Sequence, residues 1–152
     1  MGNSAAGSGS DNDNRDPEIV SVLIRISKKT RTVLGLRLAE IGLATGEDDL
    51  LLTLPVGQSW TIERLSSELS VRGPTIRRAV ERLAARGLIE QLTNSLVRLT
   101  GQGVSIQPRI VAVHQRIAGD IARTIDVDRL MALTAELNDL DACLSRSLTK
   151  MI

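Results

Sequence analysis

The run SVRGPTIRRAVERLAARGLIEQL, Ser70 to Leu92, constrains the fold more than any other part of the chain. Pro74 suits the first position of a helix, where its missing N–H costs nothing, and Gly87 supplies a left-handed stop. Between them Ile76, Val80 and Leu83 fall on one face with Ala79 beside them, so one side of this helix is buried. After the stop, the apolar runs LIEQL and LVRLT flank TNS. That pattern reads as a hairpin, with Asn94 tolerating the turn geometry. Upstream, Thr61 can cap a helix over IERLSSEL by accepting from its free backbone amides. PVGQS before it reads as a loop.

The remaining chain supplies long helices. Residues 17–41 carry apolar side chains at steps of three and four, with Pro17 at the start and Gly42 as the stop. Thr45 faces Asp48 at capping spacing, and a short helix over EDDLLLTL ends before Pro55. Two long helices follow, Val104–Ile125 and Val127–Met151, with Pro108 in or just before the first turn of the former. Leu130, Leu133, Leu137, Leu140, Leu144 and Leu148 form a stripe on the last helix, which reads as a dimer seam because the middle of the chain has a core of its own. Aromatics are nearly absent, with one Trp and no Tyr or Phe, so Leu, Ile, Val and Ala build the core. The fold class is mainly α: a winged helix-turn-helix with a two-stranded β-wing and long N- and C-terminal dimerisation helices. Its divisions are a disordered tail at 1–16, an N-terminal dimerisation helix at 17–45, a DNA-binding domain at 46–103 and dimerisation helices at 104–152.

Charge is unevenly distributed, although the net value is only +1. From Thr61 to Thr100 seven bases oppose four acids, and from Arg25 to Arg37 there are five bases and no acid. Arg72, Thr75, Arg77, Arg78 and Arg82 occupy the side of the Pro74 helix opposite its apolar face. An α-helix fits the major groove of DNA, and arginine forks bidentately onto guanine there. The expected partner is therefore duplex DNA. Gly73 and Pro74 shape the helix start, and Arg98 on the second wing strand reaches a phosphate.

The runs RLAEIGLATGEDDLLLTL, TIERLSSELSVRGPTIRRAVERLAARGLIE and VRLTGQG resemble the MarR family of bacterial winged-helix regulators, in the same order across nearly all of residues 19–148. The resemblance implies a triangular homodimer with interlocked terminal helices, whose two recognition helices read a pseudo-palindromic operator. It implies a transcriptional regulator, read as a repressor, in the cytoplasm with the nucleoid. Phenolic ligands of the family lodge between the dimer helices and the winged helix. A small-molecule effector would here find Trp60 as its stacking residue, although Trp60 also reads as a core plug. The chain departs from the family in its wing, which is short and lacks both a tip arginine and the Asp-x-Arg motif. Weaker DNA binding is expected, resting more on the recognition helix. The short wing also motivates the alternative, a protein-interaction module or anti-repressor that pairs with a related regulator.

Nothing marks an enzyme. There is no phosphate-binding glycine loop, no Ser-His-Asp arrangement and no cofactor fingerprint. His114 is the only histidine and reads as an ordinary helix position, without metal or cofactor. Cys143 is the only cysteine and reads as inert packing, with Asp141 nearby opposing a reactive thiolate. The acids at 47–49 are explained by the dipole of the helix they open. MGNSAAG lacks the Ser or Thr a myristoylation start needs, and neither a signal peptide nor a membrane span is expected.

Overall fold

Two threonines start helices in this chain, and each does so through its side chain. The Thr61 hydroxyl accepts from the Arg64 amide at 3.1 Å, and the Thr100 hydroxyl from the Gly103 amide at 3.1 Å. In the computed structural model, which describes residues 17–151, they open the fourth and the eighth of nine elements. These are α1 (Glu18–Ala39), α2 (Glu47–Thr53), β1 (Ser59–Thr61), α3 (Ile62–Leu69), α4 (Gly73–Ala85), β2 (Ile89–Gln91), β3 (Leu96–Leu99), α5 (Gly101–Ala122) and α6 (Val127–Met151). The expected disordered tail at 1–16 lies outside the described residues.

The sheet has three strands rather than two. β1 begins on Ser59, the last residue of what reads as a loop, and it pairs antiparallel with β3, giving the order β1-β3-β2. Three residues carry too little alternation to announce a strand. Ser59–Thr61 becomes one only because β3 offers a free edge opposite Arg98, Val97 and Leu96. The hairpin tip also closes differently from expectation. Thr93 accepts from the Ser95 and Leu96 amides, while Asn94 has no positive φ. A threonine turn replaces the left-handed asparagine.

α2 begins at Glu47 as expected, but its cap differs, and the start of α5 moves. α2 has Gly46 as its N-cap at φ 92°, with no side-chain cap, so Thr45 does not cap it. Instead Asp48 accepts from the Gly46 amide and Glu47 from the Ala44 amide, both at 2.9 Å. The left-handed glycine turns the chain into the helix one residue after Thr45, which leaves that hydroxyl out of reach. α5 begins at Gly101 rather than Val104, because Thr100 already caps it. Pro108 therefore lies inside the helix, where it withholds the N–H that would bond the Val104 carbonyl. Pro74 is the second residue of α4 rather than the first.

The core is the middle of the chain. Ile76, Ala79, Val80 and Leu83 of α4 are buried as their spacing requires, against Leu50 and Leu51 of α2, Leu54 just after it, Ile62 and Leu65 of α3, and Ile106, Ile110 and Val113 of α5. Each large aliphatic side chain buried there contributes about 2 kcal/mol. From α1 only Leu38 is buried, and from α6 no residue is. The leucine stripe of α6 stays exposed or half-exposed, as do Ile19, Val20, Ile24, Ile26, Val33 and Leu36 of α1.

Candidate nucleic-acid interface

α4 projects its polar side from the winged helix because its apolar side is fully used in the core. Ser70, at φ 52°, makes the left-handed close of α3, and Arg72 at φ −62°, ψ 139° is the extended residue from which α4 starts. Pro74 has no N–H, and the Thr75 amide turns back to the Arg72 carbonyl at 2.9 Å. This helix start therefore presents fewer amides to an anion than an ordinary one.

The arginines expected to share one surface are sorted by the structure into three settings. The side chains of Arg72 and Arg78 are exposed and have no hydrogen-bond or ion-pair partner among the described residues. Arg77 donates to the Asn94 carbonyl at the wing tip, 2.9 Å, and lies 4.0 Å from Glu63. Arg82, its side chain still 55% exposed, bonds through its Nε at 2.9 Å to the buried carboxylate of Glu47, which Arg86 also approaches at 3.4 Å. Arg98 pairs with Glu90 across the wing at 2.8 Å. Gly73 and Pro74 line an open cleft of about 460 Å³ with Ile62, Glu63, Ser66, Ser67 and Arg77. Thr75 lines a smaller cavity of about 150 Å³, where Arg31, Asp49 and Arg82 face an apolar floor of Leu69, Val71 and Ile76.

Trp60 lines neither of these. It sits half-buried on β1 against the core, with the Arg64 guanidinium 3.7 Å from its ring centroid and its Nε1 buried without a partner.

Two acidic residues were missed by sequence reasoning. Glu47 and Asp48 are buried in the structure rather than solvated at a helix end. Asp48 accepts from the Gly46 amide and lies 3.0 Å from His114 Nε2, so His114 is an inter-helix partner and not an ordinary helix position. A buried carboxylate needs such partners to offset its lost hydration. No spacing rule links positions 66 residues apart, and the only hint was three acids opening a helix otherwise made of leucines. Cys143 is exposed on α6. Among the described residues, no group of three or more His, Cys, Asp or Glu is placed to hold a metal, and no helix is long and apolar enough to cross a membrane.

Burial, and then the neighbouring Asp48, raise the Asp49 carboxyl above its ordinary 3.8, while His114 and Arg31 pull it down. A carboxyl raised on folding binds its proton more tightly in the folded chain. Its contribution is thus favourable at low pH and lost as pH rises through the raised value. The dipole of the short α2 favours the charge, but burial beside Asp48 outweighs it. Asp49→Asn is expected to raise Tm slightly at pH 7, a gain that disappears below pH 3.8. Thermal melts of both forms across that range check this, and a variant less stable at pH 7 would contradict it.

A helix-turn-helix followed by a three-stranded wing, with Arg72 and Arg78 exposed at the start of α4, defines the class: a winged-helix module. No protein-family model matches the chain, and no curated protein sequence matches it. Solved structures do. The chain is similar to MarR from E. coli in its reduced form (TM-score 0.71, 23% identity, 80% of this chain and 92% of that one). It is similar to a mutant of the same protein complexed with operator DNA (0.73, 22%, 86% and 99%). It is also similar to the transcriptional regulator SlyA (0.74, 18%, 86% and 96%). The chain has the MarR-family winged-helix fold.

Proposed function

We propose that the chain is a homodimeric DNA-binding transcriptional regulator that reads a pseudo-palindromic operator through α4 in the major groove. The observation that carries this is the pair Arg72 and Arg78, exposed at the start of α4 with no acidic partner among the described residues. A cationic helix start left unneutralised beside a wing suits a polyanion of fixed groove width. E. coli MarR with operator DNA and the Mycobacterium tuberculosis MarR family protein Rv2887 with DNA, which share this fold, support the reading. Residues 17–45 and 104–152 serve as dimerisation segments, and the apolar residues left exposed on α1 and α6 are the surface they would join. Repression and a site of action at the nucleoid follow from the same reading. The 150 Å³ cavity touching α4, rather than Trp60, is where a small-molecule effector would act.

Within this reading Arg72, Thr75 and Arg78 meet base edges and phosphates, Gly73 and Pro74 set the approach, and Arg98 supplies a backbone contact. Arg78→Ala is expected to weaken binding by about 1–3 kcal/mol and to reduce the salt slope by about one. Fluorescence anisotropy on the chain's own upstream region, at two salt concentrations with a scrambled competitor, tests it. Unchanged affinity in Arg78→Ala would remove α4 as the reading helix. The rival reading, a protein-interaction module, draws on the wing: its tip carries no arginine, and Asn94 is already bound by Arg77. Equal weak binding to operator and scrambled duplex would favour that rival.

A further inference from the structure

The Glu47 carboxylate has almost no contact with solvent, its side chain 3% exposed, yet it is surrounded by donors. Oε1 accepts from Arg82 Nε at 2.9 Å, and Oε2 from the Ala44 amide at 2.9 Å and Arg86 Nη1 at 3.4 Å. Arg82 and Arg86 are four residues apart, one turn of α4, so a single buried charge on α2 grips the C-terminal half of that helix at two points. The next residue, Asp48, holds α5 through His114. Two adjacent carboxylates thus hold α4 and α5 against the same turn of α2.

We infer that Glu47 is a positioning residue for DNA reading, and that Arg82 acts through Glu47 rather than by touching DNA. This rests on the DNA-binding function proposed above. The tilt of α4 against α5 sets where each Arg78 falls relative to its symmetry mate, so loosening the grip misplaces the reading residues without removing any of them. An arginine on a phosphate and an arginine on Glu47 differ in one measurable respect. The first displaces a counterion from the DNA and contributes to the salt slope; the second does not.

The test uses the full chain with Glu47→Gln, Arg82→Gln, their double variant and Arg78→Ala, in two measurements. In the first, affinity for the duplex is followed over a salt series. Glu47→Gln and Arg82→Gln should each weaken binding on the order of tenfold at unchanged slope, and the double variant no further than Glu47→Gln alone, because the Arg82 contact is already lost with the Glu47 charge. Arg78→Ala should lower the slope by about one. In the second, amide hydrogen exchange is followed without DNA. Glu47→Gln should speed exchange along Val80–Ala85 while amides of β3 stay protected. An Arg82→Gln slope that falls as Arg78→Ala does would overturn the inference, as would undiminished affinity in Glu47→Gln. Should the wild-type chain bind no DNA, the functional proposal fails by itself. The exchange measurement still decides the grip, since unaltered α4 exchange in Glu47→Gln would reject it.

Discussion

Replacing Leu137 and Leu144 with glutamate is expected to leave the chain monomeric with its winged helix folded. α6 is 25 residues long and buries no residue against the rest of its own chain, while these two leucines are 45% and 51% exposed. A helix with no packed face is marginal in water, so a stable α6 needs a surface to bury its stripe. If that surface belongs to a second copy, symmetry removes four leucines from the interface at about 2 kcal/mol each. Four new carboxylates must also be desolvated or left repelling one another. Together these should raise the dimer dissociation constant by at least about a thousandfold. Sedimentation equilibrium reads the association state, and circular dichroism should show helix lost while the main thermal transition persists. A wild-type chain that sediments as a monomer, or a variant that still dimerises, would refute the seam.

Gly103→Ala is expected to be the most disruptive single-methyl change among the described glycines. α5 starts against the wing at this residue: Thr100 caps the helix and also donates to the Gly87 carbonyl at 2.6 Å, while its amide donates to the Leu88 carbonyl at 3.1 Å. A Cβ on Gly103 would lie 2.0 Å from that Leu88 oxygen and 3.1 Å from Leu99 Cδ2. Helix propensity alone favours alanine by about 1 kcal/mol. A collision with a hydrogen-bonded backbone carbonyl does not yield as a flexible side chain does, so the collision decides the sign. A net loss of at least about 2 kcal/mol is expected, lowering Tm by roughly 4–8 °C. Because the crowded carbonyl belongs to the residue before β2, the wing should be displaced with it. Thermal melts of the two chains check this. A Gly103→Ala variant as stable as wild type would show that α5 does not approach the wing as closely as the structure places it.

Arg82 and His114 show where reading along the chain stops. The helical period places Arg82 correctly on the polar side of α4, and it says nothing of which way a long flexible side chain turns. Glu47, 35 residues earlier, takes its Nε. His114 looks idle among its own neighbours because its partner is 66 residues away on α2. The wing fails in the same manner: LIEQL and LVRLT announce two strands by alternation, whereas Ser59–Thr61 becomes a strand through pairing alone. The cap of α2 and the start of α5 differ because each competing signal was local, and a left-handed Gly46 and an earlier threonine prevailed.

By itself the sequence determined the helical class, the order of helix, turn, helix and hairpin, the buried face of α4 and the caps at Thr61 and Gly87. Each of these depends on periodicity or backbone preference within a few residues. Only the tertiary structure decided which arginines remain free, which carboxylates are buried, that a third strand joins the wing and that α6 has no surface of its own to cover its leucines. Those are outcomes of desolvation and pairing between segments far apart in the chain, where a charge leaves water only if the fold brings its partner to it.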